Sequence, residues 1–139
     1  METSLKLITL LTIFLIACNS GNNPLRQKSP EELRQELKVK EQKSYMDYLT
    51  VEYKLDKAFW SGNDIITGTI NNSASIARFK DVVLTITFFT GTDTELKSAD
   101  YVIYKFSEPN SKTPFEIRTN SPNATKKIGV RVNRAIPID

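Results

Sequence analysis

Apolar and polar residues alternate along the chain from about residue 48 onward. Between Leu49 and Leu55 every second residue is apolar, and the residues between them are polar or charged. This period of two is typical of a β-strand with one buried face and one solvated face. Similar apolar patterns return in five later segments, at 66–70, 82–88, 101–106, 115–117 and 128–132. The pattern therefore predicts six β-strands.

Short polar segments that favour turns separate these strands. They are Ser61–Asp64, Asn71–Ser73, Thr90–Asp93, Glu108–Ser111 and Asn120–Asn123. Evenly spaced strands with such turns indicate a β-sandwich or a barrel. No gap after residue 48 could hold the crossover helix that parallel strands require. We therefore expect a mainly β fold, with a six- to seven-stranded antiparallel β-sandwich over residues 48–139.

The segment before the strands, residues 30–47, has the signature of a short helix. Ser29 is placed as the N-cap, Pro30 at the first helical position, and Glu32 completes a capping box. From Glu31 to about Lys43 its only large apolar residues are Leu33, Leu37 and Val39. Such a thin stripe favours a lightly docked helix or a solvated spacer over a coiled-coil partner helix.

The N-terminal 17 residues have the pattern of a secretory leader. Lys6 precedes the run Leu7–Ala17, which is apolar apart from two threonines. A helix needs about 20 residues to cross a bilayer, so this run predicts a cleaved signal peptide instead of an anchor. A cytosolic protein with an apolar start is the alternative.

The run ends in Leu15, Ile16, Ala17 and Cys18. This sequence resembles the lipobox at which bacterial lipoproteins are cleaved and lipidated. The resemblance implies that signal peptidase recognises the first three residues and that diacylglycerol is attached to the Cys18 sulfur. Residues 18–29 would then form a flexible tether. An ordinary secretory signal with a chance cysteine is the other interpretation.

This resemblance also predicts a location. We expect a lipid-anchored protein of the bacterial cell envelope, held in the outer membrane and facing the periplasm. The residue after Cys18 is Asn19, not the aspartate that retains some lipoproteins at the inner membrane. Two or three acyl chains hold a protein on a membrane where one chain binds only marginally.

Composition restricts the chemistry that the chain could perform. Cys18 is the only cysteine and histidine is absent, which excludes nucleophilic triads and the usual zinc and iron sites. Paired carboxylates remain, and the candidate pairs are Asp93 with Glu95 and Asp64 with Asp81. Acidic residues in turns and at strand ends are ordinarily solubilising. We therefore expect no enzyme activity, no metal site and no cofactor.

The net charge of the chain does not indicate a nucleic-acid partner. The formal net charge is +3, and the basic residues are scattered along the chain. Nucleic-acid binding usually needs a concentrated basic face. We expect no nucleic-acid partner and a monomeric protein.

Three segments of the β region also resemble a known family. They are Ile66–Asn72, Val82–Phe89 with the turn at Gly91, and Pro109-Asn110 before Phe115–Ile117. In this order they resemble the FxLYD-type envelope domains, over about residues 49–135. The resemblance implies an immunoglobulin-like or fibronectin-like sandwich, often attached to bacterial lipoproteins and mostly without known activity.

Aromatic residues outside the core phase are the candidate binding residues. Trp60 lies beside a turn, while Phe89, Tyr104 and Phe106 fall on the opposite phase from neighbouring core positions. These four residues are a candidate binding patch for a protein or a glycan. The alternative is that the segment 31–48 covers them.

Two hypotheses about function remain. The first is a noncatalytic interaction module that holds an envelope protein or a glycan near the membrane. The second is a structural or assembly accessory of the envelope without a dedicated ligand.

Overall fold

A computed structural model of the chain describes residues 27–55 and 64–139, with the side chain of residue 55 left out. Its elements are α1 (Pro30–Lys43), α2 (Tyr45–Tyr48), β1 (Leu49–Leu55), β2 (Asp64–Asn72), β3 (Arg78–Phe89), β4 (Glu95–Ser107), β5 (Ser111–Thr119) and β6 (Lys127–Ile138). All six predicted strands and the helix before them are present. The leader, the lipobox with Cys18, and Trp60 lie outside the described residues.

The strands form two antiparallel sheets. Sheet 1 has the order β1-β2-β5, and sheet 2 has the order β4-β3-β6. The chain leaves sheet 1 after β2, builds β3 and β4, returns for β5 and ends in sheet 2. This connectivity corresponds to strands A, B, E and C′, C, F of an immunoglobulin-like domain. The predicted sandwich is confirmed, and β4 and β6 are the edges of sheet 2.

The core consists of the alternate residues that each sheet turns toward the other. The large side chains with no exposure to solvent are Ile66, Ile70, Phe79, Leu84, Ile86 and Phe88. Gly68 faces the same core, and the ring of Phe115 occupies the space where a β-carbon would stand. Burial of about six such side chains is the main stabilising contribution to the fold.

Helix α1 begins as the sequence predicts. The Ser29 Oγ accepts a hydrogen bond from the Glu32 amide at 3.2 Å, and the Glu32 Oε2 accepts one from the Ser29 amide at 2.8 Å. These two reciprocal bonds satisfy two amides that a helix N-terminus leaves free. The capping box is therefore confirmed.

The C-terminal end of α1 is fastened to the loop between β2 and β3. The carboxylate of Glu41, whose side chain is 1% exposed, accepts hydrogen bonds from the amides of Ser75, Ile76 and Ala77 at 2.8, 2.9 and 2.9 Å. The ring of Tyr45 packs against the ring of Phe79 with centroids 6.4 Å apart. The helix is therefore docked at one end, as one of the two favoured interpretations predicted.

Candidate functional site

The edge strand β4 carries three apolar side chains on the outer face of sheet 2. Val102, Tyr104 and Phe106 alternate with inward-facing or edge residues and are 38%, 80% and 61% exposed. Large apolar residues with this exposure are ordinary singly but informative as a group. The outer side of β4 is therefore the first candidate for a binding surface.

Neighbouring strands extend this group with one apolar and two basic residues. Lys80 of β3 lies in register with Phe106 on one side and with Ile136 of β6 on the other. Ile136 is 41% exposed, and Arg134 stands two residues earlier on the same side of β6. We call this set the apolar-basic face: Lys80, Val102, Tyr104, Phe106, Arg134 and Ile136.

A bulge in β3 lies beneath this face. Asp81 has a φ of +49°, and the register of β3 with both neighbouring strands shifts at this point. Aspartate tolerates the left-handed region better than most residues, so the bulge causes less backbone strain here than it would with most other residues. In the pairing of β3 with β4, the two residues Tyr104 and Lys105 lie opposite the single residue Asp81. Bulges of this kind redirect side chains. The exposure of Tyr104 is thus partly a consequence of this irregularity.

One end of the face is held by an ion pair. Arg78 donates from Nε and Nη2 to the two carboxylate oxygens of Glu108, each at 2.7 Å. The same guanidinium stands 5.7 Å from the centroid of the Phe106 ring, within cation–π range. The hydrogen bond from Arg78 holds the pKa of Glu108 below its ordinary value. One face of the Phe106 ring is therefore occupied, whereas Tyr104 is the more open aromatic ring.

The outer face of sheet 1 differs in chemistry. Its side chains are mostly polar, and most of its charges are paired: Lys112 with Glu52 at 3.2 Å, and Arg118 with Glu116 at 3.0 Å. Lys54 of β1 is exposed on the same side and has no such partner among the described residues. On the apolar-basic face, neither basic side chain has an ion pair or hydrogen bond within the part of the chain that the structure describes. Over the described residues the two sides of the sandwich are therefore not equivalent, and the apolar-basic face is the one that we consider as a surface for a partner.

A shallow cleft adjoins the face at the open edge between β4 and β5. It has a volume of about 320 Å³ and is lined by Val102, Ile103, Tyr104, Lys105, Phe115 and Glu116. Lys105 Nζ donates to the carbonyl of Pro114 at 2.7 Å and so links the two edge strands. The cleft is open to solvent and mainly extends the surface that Tyr104 presents.

The structure separates the four aromatic residues predicted as one patch. Tyr104 and Phe106 lie together, and Trp60 is outside the described residues. Phe89 is at the other end of β3, partly buried, with its ring beside Gly129. It lies nine residue steps along the strand from Lys80, or about 30 Å. The described residues of the predicted patch therefore lie at two separate places on sheet 2 instead of one.

The interpretation in which the segment 31–48 covers the aromatic residues is wrong for Tyr104 and Phe106. That segment contacts the 73–77 loop, Asn133 and Ile138, through bonds such as the one from Tyr45 Oη to the Asn133 carbonyl at 3.3 Å. Its contacts are at the end of the sandwich, so both aromatic side chains stay exposed.

Sequence reasoning did not identify Lys80, Arg134 and Ile136 as part of this surface. The apolar alternation of the last strand fades after Val132, although the strand continues to Ile138. Ile136 follows a buried alanine by one residue, which is the only local signal that it faces outward. Their grouping depends on strand register, which the pattern of one strand does not contain.

The structure gives the acidic residues that the sequence suggested as pairs separate surroundings. Asp93 receives a hydrogen bond from Lys127 Nζ at 2.8 Å. Asp64 is buried at the start of β2 and accepts from the Ser121 amide at 3.0 Å, at the opposite end of the sandwich from Asp81. Over residues 27–55 and 64–139, no three His, Cys, Asp or Glu side chains cluster in a way that could hold a metal ion.

Together the described residues define a β-sandwich domain with a single apolar and basic outer face. Comparison of the chain with family models, with curated proteins and with solved structures finds no match. Among the described helices, none has the length and apolar character needed to span a membrane.

Proposed function

We propose that this chain is a lipid-anchored protein of the bacterial cell envelope whose sandwich is a noncatalytic interaction module for a protein or a glycan. The observation that carries the proposal is the contrast between the two sheets. Sheet 1 presents few apolar side chains and mostly paired charges, whereas sheet 2 presents a group of exposed apolar side chains beside basic ones that have no ion pair among the described residues. Binding of a partner over such a surface is favourable, because it removes apolar area from water.

The residue types of the face support binding in particular. Tyrosine and arginine are enriched among the side chains that dominate binding energy, and aromatic residues in general are enriched at interfaces. Tyr104 contributes a large ring with few rotatable bonds, so little conformational entropy is lost on binding. Arg134 stands on the same face and supplies charged donors for carboxylate or phosphate groups.

The anchor in this proposal rests on the leader. The resemblance to a lipobox supports cleavage before Cys18 and lipid on its sulfur, with retention at the outer membrane. Residues 19–29 could extend to roughly 35 Å and would average about 18 Å as a coil. Helix α1 adds about 21 Å. The sandwich would thus work within some tens of ångströms of the bilayer.

A photocrosslinking amino acid at position 104 tests the interaction module. We expect it to capture one stoichiometric envelope partner in cells, because Tyr104 is the most exposed aromatic side chain of the face. The same amino acid at Thr67, on the outer face of sheet 1, is the matched control and should capture none. Equal capture of many envelope proteins from both positions would instead favour an accessory without a dedicated ligand.

Replacing Cys18 by serine tests the anchor. We expect the precursor to accumulate uncleaved and lipid labelling to disappear, because serine offers no sulfur to the diacylglyceryl transfer. Metabolic labelling with a radioactive fatty acid measures the lipid, an immunoblot measures the size of the chain, and Ser20→Ala should leave both unchanged. Normal maturation of the Cys18→Ser chain would contradict the lipobox interpretation.

A further inference from the structure

We propose that the apolar-basic face docks on the anionic lipid surface of the membrane that carries the chain's own anchor. This inference rests on the proposed anchor at Cys18. In this proposal lipid covers the face when no partner is bound, and a protein or glycan partner would have to displace it. The accessibility of the interaction module would therefore be regulated by the charge of the bilayer.

The apolar part of the face suits the boundary between head groups and acyl chains. Tyr104 and Phe106 are aromatic, and Val102 and Ile136 are aliphatic; all four are at least a third exposed. Aromatic rings concentrate at membrane interfaces, where an apolar body meets a hydrated layer. Four such side chains on one face of a sheet can enter that layer together.

The charges beside these side chains are mainly positive. Lys80, Arg131 and Arg134 belong to the outer side of sheet 2 and have no ion pair among the residues that the structure describes. Lys105, on the edge, donates only to a backbone carbonyl. Basic residues near an anionic lipid surface each contribute about 1 kcal/mol of attraction, or about fivefold in the docking equilibrium.

Two carboxylates, Asp81 and Asp100, oppose this charge. Asp100 accepts hydrogen bonds from Thr85 Oγ1 at 2.5 Å and from Asn133 Nδ2 at 3.0 Å. Asp81 sits in the bulge. Arg78 and Glu108 neutralise each other. Four cations against two anions leave the region positive by two charges, whereas on the outer face of sheet 1 only Lys54 stands outside the two ion pairs among the described residues.

In the proposed anchoring, the docked helix would bring this face to the membrane. Helix α1 is docked at the end of sheet 2 that carries the face, since Gln42 Nε2 donates to the Ile138 carbonyl at 3.2 Å and Ile138 pairs with Arg78. Residues 18–29 would hold that end within some tens of ångströms of the bilayer. A short flexible tether gives an effective concentration on the order of millimolar. Even weak attraction therefore suffices to dock the face.

The test uses the chain from Cys18 onward, which contains every residue that the structure describes. Its single thiol is coupled to a maleimide lipid in vesicles of phosphatidylcholine, with or without phosphatidylglycerol. Hydroxyl-radical footprinting then reads the exposure of individual side chains. We expect oxidation of Tyr104 and Phe106 to fall about fivefold in the anionic vesicles only, while Tyr53 on β1 stays unchanged.

Charge variants give the matched control. Lys80→Gln with Arg134→Gln should weaken docking about 25-fold and restore the oxidation of Tyr104. Lys112→Gln with Arg118→Gln removes the same charge from sheet 1 and should leave the protection intact. Equal oxidation in both kinds of vesicle, or protection that persists without Lys80 and Arg134, would overturn the inference.

Failure of this inference can be told apart from failure of the proposed function. Chemical coupling places the chain on the vesicle whether or not a cell lipidates Cys18, so the footprint does not depend on that modification. If Tyr104 captures a stoichiometric partner in cells but stays unprotected on anionic vesicles, the interaction module stands and lipid docking is wrong.

Discussion

Replacing Gly68 by alanine should destabilise the sandwich by about 3 kcal/mol. A β-carbon at this position would stand 2.3 Å from the backbone oxygen of Glu52 and 2.7 Å from the ring of Phe115. The first atom belongs to a neighbouring strand and the second to a buried ring, so neither can move without disturbing the core. Overfilling of a packed core is relieved only by strain elsewhere.

Thermal and urea unfolding measure this effect, and Gly91→Ala is the matched control. The nearest atom to a β-carbon at Gly91 is a flexible lysine carbon 3.8 Å away. Alanine there should be neutral or stabilising by a few tenths of a kcal/mol, whereas Gly68→Ala should lower Tm by about 10–20 °C. Similar Tm values for the two variants would contradict the packing described around Gly68.

Glu41→Gln should cost about 2–3 kcal/mol and release the C-terminal end of α1 from the sandwich. The glutamate accepts three backbone hydrogen bonds with its two oxygens. Glutamine presents only one oxygen, and its amide group would confront another N–H donor. Hydrogen exchange of the amides of Ser75, Ile76 and Ala77 should accelerate, while exchange in the centre of β3 should change only through the global loss of stability.

The contribution of Glu41 also depends on pH. Burial raises the pKa of its carboxyl group, but the hydrogen bonds from the Ser75, Ala77 and Ile76 amides lower it, and the net effect is a lowered pKa. Since the folded state binds this proton less readily than the unfolded state, the stabilisation is complete above the unfolded pKa of about 4.3. It is lost as the pH falls from there through the lowered pKa of the folded state.

Unfolding free energies measured against pH check this dependence. The difference in unfolding free energy between wild type and Glu41→Gln should have its full size near neutral pH. It should shrink in acid as the wild-type carboxylate is protonated. Glu36→Gln is the control, because Glu36 is exposed on α1 and its ion pair with Lys28 is worth at most about 1 kcal/mol. A difference between wild type and Glu41→Gln that stays constant into acid would contradict the proposed role of the charge.

The local features of the fold were predictable because each depends on neighbouring residues. The period of two from Leu49 to Leu55 marked β1, and the Ser29 to Glu32 spacing marked the start of α1. The role of Glu41 was not predictable, since a glutamate on a polar helix ordinarily stays in water. It is buried because the loop at 75–77, some 35 residues away in sequence, presents three amides to it.

The candidate site also combines features that depend on neighbouring residues with features that depend on distant ones. Phe89 and Tyr104 both lie out of phase with the core, yet Tyr104 is 80% exposed and Phe89 is partly buried. Their difference arises from their neighbours across the sheet: Phe89 packs beside Gly129, whereas Tyr104 stands on an edge strand beside a bulge. Alternation along one strand states which side a residue faces but not what stands next to it.

The sequence by itself determined the class of fold, the helix cap, the scarcity of catalytic residue types, and the expectation of an anchor at Cys18. Only the tertiary structure decided that Lys80, Tyr104 and Arg134, from three different strands, share one surface. The physical reason is that periodicity is set by the backbone of each segment. Strand order and register are set by pairing between distant segments, which no single segment encodes.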